Sequence, residues 1–112
     1  MVPLTFCSLP LATHYRFGQS IQAAAEEAYD RTDACTFTSF VGYEHTASLV
    51  GRHQHRNVIF RGTEGAAPFS QLDSLRPEDL WSYLEKNRKR GIEAMAIPHN
   101  GNVSNGVTVG IT

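Results

Sequence analysis

Apolar and polar positions alternate along this chain with two different periods, and the change of period marks out its elements. Ile21, Ala24, Ala25 and Ala28 recur at i, i+3, i+4 and i+7, the spacing of one buried helical face. Ser20 can cap the first turn through its hydroxyl, and the run to Tyr29 has no glycine or proline. A short helix over 20–29 is predicted. Residues 1–18, with Pro3, Pro10 and Gly18, show neither period and read as irregular. After the turn Asp30-Arg31-Thr32-Asp33, the Thr-, Phe-, Val- and Tyr-rich run Cys35–Glu44 reads as a strand, residues 46–54 as a loop, and Arg56–Arg61, with Val58, Ile59 and Phe60, as a second strand. If the two strands pair antiparallel, the exit of the first at Glu44 lies beside the entry of the second at His55.

Residues 63–72, carrying Gly65, Pro68 and Ser70, are a loop. The strongest helix signal follows. Pro77 sits in a first turn, where its missing N–H costs nothing; Glu78 and Asp79 suit the positive end of the dipole, and Lys86, Arg88, Lys89 and Arg90 the negative end. Leu80, Trp81 and Leu84 form its apolar face and Gly91 its stop, with Trp81 read as core and the basic tail as a solvated face. A tight turn leads into the strand Ile92–Ile97, which Pro98 should end for lack of a ladder donor. The order is helix-strand-strand-helix-strand, an α/β arrangement. His99 falls at a strand's carboxyl end, where open α/β sheets and (β/α) barrels keep their chemistry.

Composition narrows the function classes. Ten Lys and Arg against eleven Asp and Glu give a net charge of -1, so the chain has no basic field with which to hold nucleic acid. No apolar run approaches the ~20 residues of a membrane-spanning helix. The opening segment is mildly apolar but has no basic leader and carries two prolines, a weak signal peptide, and the compartment stays open. Cys7 and Cys35 have no Cys-x-x-Cys spacing and read as unpaired thiols. The sequon Asn102-Val103-Ser104 means little without a secretory route.

Imidazole nitrogens and carboxylate oxygens hold divalent metals in hydrolytic sites, often with a position left for water. Glu44, His55 and His99 each end an apolar segment, where packing can hold a side chain at a cleft. The spacing is not self-identifying. Glu44 reads equally as a solvated strand-end carboxylate and His55 as a loop histidine, with His53 and His45 competing for its role; His99 reads also as a half-buried capping histidine. The loop from Asn100 through Asn102 and Ser104 to Gly106 offers amide, hydroxyl and converging backbone donors for a phosphate or sulfate, or is an ordinary Asn-Gly turn.

Four blocks in order, Phe37-Thr38-Ser39-Phe40-Val41-Gly42-Tyr43-Glu44, His55-Arg56-Asn57-Val58-Ile59-Phe60-Arg61, Pro77-Glu78-Asp79-Leu80-Trp81 and Ala96 through Gly106, resemble domain-of-unknown-function family 3604 over about residues 20–106. That family is similar to the polymerase-and-histidinol-phosphatase (PHP) superfamily. The resemblance implies a portion of a distorted (β/α) barrel that binds divalent metal ions, zinc, manganese or iron, and hydrolyses phosphate esters through a metal-bound hydroxide. Glu44 then matches a metal-bridging carboxylate, and His55 and His99 match metal-binding histidines. Asn57, on the same strand face as His55, would orient a ligand from behind them.

The chain departs from the family in placing His45 where a tryptophan is expected and in lacking the Asp-x-His-x-His and Thr-Asp-His blocks. Residues 1–19 and 107–112 fall outside the resemblance. The expectation is therefore an internal fragment of a longer metal-dependent hydrolase that acts on a small phosphate-ester-like substrate. Made alone, the fragment should be inactive and prone to self-association. The alternatives are a non-catalytic anion-binding module and an inert truncated gene product.

Overall fold

The computed structural model describes residues 9–99 together with Gly101 and Ser104. Its elements run α1 (Leu9–Ala28), β1 (Gly42–Leu49), β2 (Arg52–Phe60), α2 (Asp79–Arg88) and β3 (Ala94–Pro98), the order expected, but several boundaries move. Helix α1 begins at Leu9, so residues 9–18 are helical rather than irregular. Pro10 lies in its first turn, where a missing N–H is harmless, and Gly18 is tolerated inside a helix at a cost of about 1 kcal/mol. Of the predicted buried face only Ala25, with half-buried Ile21, meets the core, while Ala24 and Ala28 are exposed.

The first strand does not occupy Cys35–Glu44. The Asp30 carboxylate accepts bonds from the backbone N–H and hydroxyl of both Thr32 and Thr36, at 2.5–2.9 Å. Those bonds offer the local backbone an alternative to a ladder, and residues 31–38 remain exposed coil. Strand pairing starts at Gly42 and runs through the stretch predicted as a loop. A two-residue turn, Val50-Gly51 with φ of 48° and 72°, closes β1 onto β2. Positive φ at both positions is the type I′ geometry that matches the twist of the flanking strands.

The three strands form one sheet in the order β1-β2-β3, with both pairs antiparallel. Successive strands of a (β/α) barrel run parallel. Here a two-residue turn reverses the chain between β1 and β2, and β3 returns along the other side of β2. The architecture is mixed α/β, with two helices on a three-strand antiparallel sheet. Pro98 is the last residue of the edge strand β3, as its missing donor requires.

Side chains alternate across the sheet, so one face receives the core. Val58, Phe60 and Leu80 are essentially inaccessible and are joined by Val41, Ala25 and the half-buried Tyr43, Tyr83 and Leu84. Trp81 is not core. It is 46% exposed, and the Arg56 guanidinium lies over its ring at 5.2 Å. Gly91 with φ of 85° ends the segment after α2, and the basic tail is exposed, both as predicted. Cys35 is a free, exposed thiol, and Cys7 lies outside the described residues. No helix among the described residues is long and apolar enough to cross a membrane.

Candidate metal centre

The face of the sheet turned away from the core carries Glu44, Thr46 and Ser48 from β1, His53, His55, Asn57 and Ile59 from β2, and Met95 and Ile97 from β3. Register sets them in rows. Thr46 pairs with His55, and Glu44 pairs with Asn57, which pairs in turn with Ile97. Arg56 pairs with Pro98, so the same register carried one residue further brings His99 opposite His55. Glu44 is thus one diagonal step from His55, inside the sheet rather than at its end.

The three side chains converge. Glu44 Oε1 is 3.1 Å from His55 Nδ1, and Glu44 Oε2 is 3.3 Å from His99 Nε2. The two imidazoles stack at 5.3 Å between centroids, and one ligand atom from each of the three residues lies within 4.8 Å of the others. Donors about 2.0–2.1 Å from a tetrahedral ion stand about 3.4 Å apart, and each carboxylate oxygen lies near that distance from one imidazole nitrogen. Thr46, read as loop from the sequence, supports the cluster. Its hydroxyl donates to Glu44 Oε1 at 3.2 Å and lies 2.9 Å from His55 Nδ1. That bond first, and then the two neighbouring imidazoles, hold the Glu44 carboxyl below the usual carboxylate range and keep it anionic.

The competing histidines are sorted by strand parity. His53 lies on the open face beyond His55, stacked at 6.0 Å, with its Nδ1 2.7 Å from Ser48 Oγ. His45 points the other way. It is 1% exposed and stacks on Phe69 at 6.0 Å, and burial and the Arg56 charge push its imidazole pKa down. Neither of its ring nitrogens, nor Nε of Arg56, has a hydrogen-bond partner among the described residues. His45 therefore cannot reach the Glu44 cluster. Asn57 sits on the cluster's face, paired with Glu44. Asn100 and Asn102 lie outside the described residues; Ser104 is buried, and its hydroxyl donates to the Gly101 carbonyl at 2.7 Å.

Fold and site together define a mixed α/β domain whose sheet, among the described residues, has one covered face and one open face, the open one bearing a carboxylate and two imidazoles at metal-ligand spacing. A family model described as a protein of unknown function (DUF3604) matches residues 11–111, and the chain belongs to that family. No curated protein and no solved structure matches the chain.

Proposed function

We propose that Glu44, His55 and His99 hold a divalent metal ion and that the chain is part of a hydrolase that uses this ion on phosphate esters. The observation that carries the reading is the convergence of the three ligand atoms on an open sheet face. Two imidazoles and a carboxylate suit zinc, manganese or iron and leave coordination positions for water and substrate. The chemistry an ion held by these three residues would supply is a water of lowered pKa and charge to offset that of the phosphoryl oxygens. Thr46 fixes the Glu44 carboxylate through its hydroxyl. Asn57, level with Glu44 in the register, would donate to an oxygen of the bound ester.

The same reading takes the sheet as part of a PHP-like barrel, with the antiparallel strands attached to its wall. The two edge strands leave unpaired backbone groups for further elements, and a chain produced alone should self-associate by pairing at those edges.

Equilibrium dialysis against Zn²⁺ and Mn²⁺ tests the centre. The expected result is one ion per chain, with affinity falling at least about tenfold in each of Glu44→Gln, His55→Ala and His99→Ala while circular dichroism stays unchanged. Equal affinity in all three well-folded variants would reject the site.

A further inference from the structure

The open face is polar only over its His55 half. Along the strands from Glu44, the next row is Gly42, Ile59 and Met95, about 7 Å away by the strand rise. At that end of the sheet lies a cavity of about 600 Å³, lined by Phe40, Ile59 and Met95 together with the core-side pair Phe60 and Ala94. Phe40, Met95 and Ile97 are 56%, 59% and 44% exposed. A cavity of that volume is in the range that takes a small molecule. Charged groups stand at its rim, but they are engaged: Arg61 pairs with Glu93 at 2.7 Å, and Arg88 with Glu85 at 3.0 Å. With its guanidiniums already neutralised, the cavity favours an uncharged group over a second anion.

We infer that this cavity is a binding site for an uncharged apolar group, aryl or short alkyl, carried by the ligand whose phosphate-type head is held at Glu44, His55 and His99. The inference rests on the metal-centre reading for the head and on the cavity for the tail. It defines the substrate class as phosphate esters of apolar alcohols or phenols. Asn57 and Ile97 share the row of Glu44, so the ligand runs along the strands from the row of His55 and His99, past that row, to the row of Ile59 and Met95.

The two parts are separately testable because the chain has only two methionines, Met1 and Met95. With ¹³C-methyl-methionine labelling, Met95→Leu assigns the Met95 signal. In the metal-free chain, benzyl alcohol should shift that signal saturably, and Phe40→Ser should abolish the shift. In the Zn²⁺-loaded chain, butylphosphonate should bind at least about tenfold tighter than methylphosphonate, since each buried methylene adds up to about fourfold. In Met95→Gln, a change at an exposed position, that ratio should fall toward one while zinc affinity is kept.

A Met95 signal unmoved by benzyl alcohol overturns the inference. So does equal affinity for the two phosphonates, or a Met95 signal that tracks protein concentration together with dimer formation in sedimentation, which would assign the face to a second copy. A benzyl alcohol shift in a chain that takes no zinc places the failure in the metal reading and keeps the cavity as an apolar-group site.

Discussion

Val50 is a β-branched residue in the left-handed region, with φ of 48°, and it is 99% exposed, so no contact compensates its backbone strain. An L-residue in that region costs about 1–2 kcal/mol, and branching at Cβ places Val toward the upper end. Asn tolerates the conformation and Asn-Gly is the preferred type I′ pair, so Val50→Asn should stabilise the chain by about 1 kcal/mol. Val50→Gly should gain less, because relief of strain is offset by the extra freedom of glycine in the unfolded chain. Gly51→Ala, at φ of 72°, should cost about 1 kcal/mol. Urea unfolding monitored by circular dichroism reads all three, and in a domain of this size 1 kcal/mol corresponds to roughly 4–8 °C in Tm. An Asn variant no more stable than the parent, together with a neutral Gly51→Ala, would refute the turn and with it the register that puts Glu44 beside His55.

Thr46→Val removes the hydroxyl that holds the Glu44 carboxylate and should weaken metal binding about 10–100-fold without loss of fold; calorimetry with Zn²⁺ on both proteins decides it. His45→Phe replaces an imidazole with two unpartnered buried nitrogens by a ring that can keep the stack on Phe69, and should raise stability by about 1 kcal/mol with metal affinity unchanged; a destabilised variant would mean that those nitrogens do have partners. The Glu26 carboxyl is held down to about 2 from its ordinary 4.5, first by Arg31 and then by Thr63, so the folded chain binds fewer protons than the unfolded one between those values. Its contribution to stability is complete above pH 4.5 and is lost as pH falls toward 2; Arg31→Met should flatten that limb of an acid titration, and an unaltered limb would reject the assignment.

Much of this was legible in the residues, and the misses have specific causes. Val58, Ile59 and Phe60 announced β2, Pro98 the end of β3, and Gly91 the stop after α2, because each signal is a local steric or hydrogen-bonding requirement. Strand β1 starts later than its composition suggests because β-propensity in residues 35–38 loses to the Asp30 carboxylate, which binds the backbone of Thr32 and Thr36. The hairpin was invisible because Val occupies a turn position where Asn or Gly gives the usual signal. That one omission also hid Thr46 within a supposed loop and left His45, His53 and His55 as equals; only the parity of a strand running through to Leu49 separates them. Glu44, His55 and His99 themselves were found as candidates from segment ends and family resemblance, though Glu44 proved to be interior to its strand.

The tight turn also bears on the order in which the site is built. Glu44 and His55 belong to one hairpin, and contacts so near in sequence close within about 1–10 μs, whereas His99 arrives only when β3 docks on β2 across the whole length of α2. A carboxylate and one imidazole are thus in place before the second imidazole. Were a metal ion held by that pair, it would favour β3 in register and so would act as a template for the last strand.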